Sequence, residues 1–158
     1  MKRTLGLNLL LAFVIWGTFK SAESLLKTAG TQEVYAFYGL EWLYFVIVAF
    51  AALGGIALAY AIWKAKPWGY ILGFAWLAVG AANSVFNGAV AYYNKPLMLQ
   101  ILTAIGESRG RDTASMQDFV NSSAYDISMI GASVVMVAIS LFFMWQIYQR
   151  RAYFAPSQ

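Results

Sequence analysis

Residues 68–93 read WGYILGFAWLAVGAANSVFNGAVAYY, 26 residues without one charged side chain. Crossing the hydrocarbon of a bilayer takes about 20 apolar residues as a helix. Inside lipid the backbone must satisfy its own hydrogen bonds, which leaves helices or closed barrels. A run this long and this uniformly apolar lacks the alternation of barrel strands. It reads as a membrane-spanning helix.

Three further stretches, about 4–26, 40–63 and 127–148, are apolar over comparable lengths. The expected fold is therefore an all-α integral membrane protein, a four-transmembrane-helix bundle forming one domain over residues 1–158. Outer loops would occupy about 27–39 and 94–125. Composition agrees, with 61% hydrophobic and 11% charged residues against about 25% charged in soluble proteins. The first stretch resembles a signal peptide in its basic start and apolar centre. Lys20-Ser21-Ala22 puts a lysine where cleavage needs a small residue, so the stretch is read as a retained span continuing through Leu25 and Leu26.

Charge sets the orientation. The start, the link after the second stretch and the end hold Lys2, Arg3, Lys64, Lys66, Arg150 and Arg151, and no acid. All seven acids (Glu23, Glu33, Glu41, Glu107, Asp112, Asp118 and Asp126) fall in the other two connections with five cations. Cationic flanks stay in the cytoplasm during insertion, which predicts a multi-pass cell-membrane protein with both termini inside. The net charge of +4 is this topology signal and does not indicate nucleic-acid binding.

Between the second and third stretches, Lys64-Ala65-Lys66-Pro67 forms a short turn, because residues before proline avoid the helical region and lysines suit a helix carboxyl end. Aromatic residues should mark both headgroup levels: Tyr60, Tyr70, Trp145 and Tyr148 inside, and Trp16, Tyr35, Tyr38, Trp42, Tyr92, Tyr93 and Tyr125 outside. Within the second outer loop, Met98, Ile101, Leu102 and Ile105 share one face, the pattern of a short interfacial helix. The polar stretch 107–123, with its charged turn Gly106–Asp112, is expected to loop. Ser123-Ala124-Tyr125-Asp126 has the capping-box arrangement before the last span, and Asn121-Ser122-Ser123 has the form of a glycosylation acceptor.

Helical projection gives three stripes. On the third span Gly69, Gly73, Gly80, Ser84, Asn87 and Ala91 lie within about 40° of one line, with Asn83 at its edge. Gly80, Ser84 and Gly88 form a small-xxx-small series, which permits close helix approach. The last span carries Asp126, Met129, Ser133, Met136, Ser140 and Met144 at seam spacing. Glu41, Val48, Ala52, Gly55 and Ala59 share a face of the second. With all three stripes pointing inward, Glu41, Asn83, Asn87 and Asp126 converge in the outer half of the bundle as a candidate polar cluster or pathway. The plainer reading makes the carboxylates helix-end groups facing water and the amides interhelical hydrogen-bonding groups.

The chain contains neither histidine nor cysteine. The commonest zinc ligand, the usual haem ligand, the thiolate nucleophile and the usual triad base are thereby missing. No metal and no cofactor is expected. The leading expectation is a non-enzymatic accessory, assembly or stabilising subunit whose partners are the lipid bilayer and other membrane proteins. The alternative is a homo-oligomeric transporter or channel for a small solute or ion. A lipid-directed enzyme working with carboxylates alone ranks third.

Overall fold

The computed structural model describes residues 4–26, 30–108 and 113–155. Lys2, Arg3, Lys27, Arg109, Gly110, Arg111 and Asp112, on which part of the charge pattern and the 106–112 turn rest, lie outside them. The described residues are almost all helical, joined by short turns, without a strand. In chain order they form α1 (Leu5–Leu26), α2 (Gly30–Phe37), α3 (Glu41–Trp63), α4 (Trp68–Tyr93), α5 (Lys95–Ser108), α6 (Ala114–Val120) and α7 (Ser123–Gln149). A single 3-10 turn, Arg151–Phe154, follows.

Four of these helices, α1, α3, α4 and α7, are long and apolar enough to span a membrane. Large apolar side chains cover their outward faces, among them Leu53, Ile71, Ile127 and Leu141, each more than 60% exposed. Water would not tolerate such a continuous oily surface on a monomer; hydrocarbon does.

The spans pack as two close pairs, α1 with α3 and α4 with α7. Small residues set the contacts. Gly55 of α3 faces the Thr18 side chain of α1, and Gly88 of α4 faces Ser133 of α7. Across the α4–α7 seam the Ser133 hydroxyl donates to the Ser84 carbonyl at 3.1 Å. The pairs join at the end carrying the 64–67 link and the two chain ends, here called the basic end. There Leu7, Leu10, Val14, Leu58, Ile62, Leu77, Phe143 and Ile147 form the main core. The terminal turn folds back onto it, with the Tyr153 hydroxyl donating to the Ile62 carbonyl at 2.6 Å. Two glycines of α4 allow this closure. A methyl group at Gly69 would lie 2.7 Å from the Ala61 Cβ, and one at Gly73 the same distance from Ile147 Cδ1.

At the opposite end, the loop end, short helices fill the space between the pairs. Val34 of α2, Val90 of α4 and Leu97 and Ile101 of α5 form one buried cluster. Tyr35, Tyr44 and Val48 form a second with Phe86 against it. Leu102 packs on a third, around Ala91, Val120 and Tyr125. The apolar face of α5 thus lies against protein.

Three local expectations change. A helix, α6, interrupts the 107–123 stretch, because Val120 is buried beside Tyr125 and gives the segment an apolar anchor. The last span begins four residues early, at Ser123, with Ser122 as the cap: its hydroxyl accepts from Tyr125 N at 3.3 Å. Tyr35 and Tyr125 are buried, at 3% and 1% exposure, whereas Trp16, Tyr38, Trp42 and Tyr93 remain on the surface. The Tyr125 hydroxyl donates to the Ala91 carbonyl at 3.2 Å, so its polar end is satisfied inside.

Replacing Gly69 with Leu should force α3 and α4 apart, since Ala61 is fully buried and its Cβ has nowhere to move. Overpacking of this kind costs about 1–3 kcal/mol. Thermal unfolding in mild detergent should show the Gly69→Leu protein melting well below the parent, and an unchanged melting temperature would contradict the close approach.

Candidate functional site

Where the helix pairs part, a cavity of about 480 Å³ remains in the loop half of the bundle. Its size falls within the range of pockets that take small molecules, about 300–1,000 Å³. α4 supplies one wall with Gly80, Asn83, Ser84 and Asn87, and α7 supplies another with Met129, Ser133, Met136 and Ser140. Phe13 and Trp16 of α1 and Ile47, Phe50 and Ala51 of α3 complete the sides. Val34 of α2 and Met98 of α5 roof it. Trp76 lies toward the basic end, its indole N–H donating to the Ala51 carbonyl at 2.9 Å, which ties α4 to α3 below the opening.

Polar groups cluster on the α4 wall. Asn83 and Asn87 stand one helical turn apart, so both project to the same face. The Asn87 amide donates to the Asn83 carbonyl at 2.8 Å and to Asn83 Oδ1 at 2.9 Å. From α2 the Tyr35 hydroxyl donates to the same Oδ1 at 2.6 Å. Two donors thus converge on one oxygen and fix the orientation of Asn83. Asn83 Nδ2 and Asn87 Oδ1 make no hydrogen bond among the described residues. One donor and one acceptor are left beside the cavity.

Burial pushes the Tyr35 phenol above its ordinary value, and the neighbouring Asn87 amide offsets this in part. A raised phenol favours the fold while both states are protonated. That contribution fades as pH climbs past about 10, where the unfolded chain ionises first.

Of the four residues expected to converge, the structure brings together Asn83 and Asn87 only. Glu41 is the first residue of α3 and exposed, accepting a hydrogen bond from Gln32 Nε2 at 2.7 Å. Its stripe turns toward α1 instead of the centre: Gly55 meets Thr18, and the Tyr44 hydroxyl, about three turns of α3 away on the same side, reaches the Ser24 carbonyl at 3.3 Å. Asp126 sits in the first turn of α7, paired with Lys95 at 2.8 Å. Each side chain of that pair is 30% exposed, so it contributes about 0–1 kcal/mol.

The small residues also divide. Gly55, Gly69, Gly73 and Gly88 lie at close contacts, whereas a Cβ built at Gly80 has nothing within 4 Å. Gly80 faces the cavity, and its expected packing role is not seen. Ser84, Ser133 and Ser140 line the cavity while belonging to the α4–α7 pair. Sequence reasoning missed Tyr35 and Trp76 as site residues. Both looked like ordinary aromatics, and only their buried hydrogen bonds set them apart. Met129 and Met136, placed by their spacing on the seam of the last span, are cavity walls.

Among the described residues no three acidic side chains gather to hold a metal ion. No charged residue lines the cavity among them. No family model, curated protein or solved structure matches the chain.

Tyr35→Phe should remove the α2–α4 hydrogen bond and leave one lone pair of Asn83 without its donor. The expected loss is about 1 kcal/mol, read as a lower melting temperature at neutral pH. The parent should also lose stability as pH rises past about 10 more steeply than the Phe variant does. Matching alkaline profiles would show that Tyr35 is not held in its neutral form.

Proposed function

We propose that the chain is a multi-pass protein of the cell membrane with both termini in the cytoplasm. In this reading it has no catalytic activity of its own and serves as an accessory, assembly or stabilising subunit packed against other membrane proteins. Lys64, Lys66, Arg150 and Arg151 at the basic end support the orientation, since flanks rich in lysine and arginine stay inside. α5 would then lie at the outer headgroup level.

The observation carrying the subunit reading is a second hollow, an open groove of about 680 Å³ on the outward side of the α4–α7 pair. Gly88, Ala89, Ser133 and Ala138 lie along it, between larger residues such as Tyr92, Val134 and Leu141. Lipid tails gain nothing from small residues, whereas a neighbouring helix does, because its backbone comes close and dispersion contacts multiply. A groove of this make-up on the lipid-facing side suits a partner helix. Transport by a homo-oligomer draws on Asn83 and Asn87 but is less well supported. Glu41 and Asp126 lie outside the cavity, and its basic end is filled by the main core.

Extraction of the tagged chain from its native membrane in mild detergent should recover another membrane protein in stoichiometric amount. Ala138→Trp, which fills the groove from an exposed position, should cut that recovery severalfold while the chain stays folded. A lone chain or a symmetric homo-oligomer would contradict the subunit reading. Tags at both termini should be reached only from the cytoplasmic side, and a tag inserted within 109–112 only from outside; any other pattern refutes the orientation.

A further inference from the structure

We infer that the cavity between the helix pairs is a binding site for a neutral, single-chain lipid whose head both donates and accepts hydrogen bonds, such as a monoacylglycerol or a long-chain alcohol. This goes beyond the subunit reading and does not depend on it. The charge of the ligand follows from the walls. No lysine, arginine or carboxylate lines the cavity among the described residues, and a buried phosphate or ammonium without a counter-charge is strongly disfavoured. Ions and phospholipid heads are thereby excluded.

Its polarity pattern follows from the amides. Asn83 Oδ1 is occupied by Tyr35 and Asn87, which leaves Asn83 Nδ2 to donate and Asn87 Oδ1 to accept. A hydroxyl or glycerol head satisfies both; a plain hydrocarbon satisfies neither. The remaining walls, Phe13, Ile47, Phe50 and Met136 among them, suit an apolar body. A largely apolar pocket with a few convergent polar groups is the usual form of a small-molecule site.

The route of entry follows from the packing of α1 and α7. These helices meet toward the basic end, where Phe13 stacks 5.1 Å from Phe143 and Gly6 lies against Gln146. Nearer the loop end the cavity separates them. Trp16 lines the cavity and is still 57% exposed, so its ring stands at an opening onto the lipid-facing side. A ligand dissolved in the bilayer enters sideways there.

The test uses the full-length chain in phosphatidylcholine bilayers with a monoacylglycerol carrying a diazirine in its tail. Photolabelling should saturate and map to cavity walls such as Met136 or Trp76. Unlabelled monooleoylglycerol should compete, and phosphatidylglycerol should not. Gly80→Leu places a side chain into open space and should lower labelling at least tenfold without loss of thermal stability. Asn83→Leu keeps a similar volume and removes the donor together with the acceptor shared by Tyr35 and Asn87; at least a fivefold loss, about that of one hydrogen bond, is expected. It decides the matter independently should the glycine variant fail to fold. Labelling confined to lipid-facing positions such as Leu141, equal competition by phosphatidylglycerol, or undiminished cavity labelling in a folded variant would each overturn the assignment.

Discussion

How closely its neighbours approach α4 governs this structure. Gly69 and Gly73 admit Ala61 and Ile147 at distances that any side chain would forbid. Lipid tails are as apolar as leucine, so spans gain from packing only where their surfaces fit. Those two glycines bring α3 and α7 onto α4 at the basic end, where α1 joins the shared core and the terminal turn seals it through Tyr153. Gly88 continues the close contact between α4 and α7 toward the loop end. Nothing approaches Gly80, and the cavity occupies the space left there. One residue type in one stripe thus produces contact in some turns and a void in another, according to what the facing helix presents.

The parting of the pairs sets the task of the connecting helices. α2 and α5 would be marginal alone, since short helices gain most of their stability from tertiary packing. Here they are anchored by Val34, Leu97 and Ile101 on Val90, and α2 also by the Tyr35–Asn83 hydrogen bond. They roof the cavity as well as linking spans. Tyr35 therefore joins fold to site: its burial orders α2, and its hydroxyl orients the amide of Asn83, a residue that lines the cavity.

Much of the architecture was legible in the sequence, because the decisive constraint is local. A run of 26 uncharged residues can be read without knowing its neighbours, and the observed α4 has the same limits. The α7 stripe of Met129, Ser133 and Met136 also faces inward as its spacing implied. What periodicity cannot supply is which neighbour a stripe meets. The small face of α3 looks identical whether it turns to α1 or to the centre, so Glu41 was placed in a cluster that its helix directs it away from. Burial of Tyr35 and Tyr125 escaped notice for a related reason. An amphipathic ring suits the headgroup level and a hydrogen-bonded interior equally well. The α7 cap moved by one residue because neighbouring serines are chemically equivalent there and backbone geometry chooses between them.

The spans gather at one end and part at the other, and distances across α1 and α7 test this most directly. The chain has no cysteine, so spin labels can be placed in pairs without background. Exposed positions serve both ends: Leu5 with Trp145 at the basic end, and Phe19 with Ile127 at the loop end. In a bilayer, the loop-end pair should give a clearly longer separation than the basic-end pair. Equal separations, or a shorter one at the loop end, would mean that the helices run together along their whole length and leave no cavity.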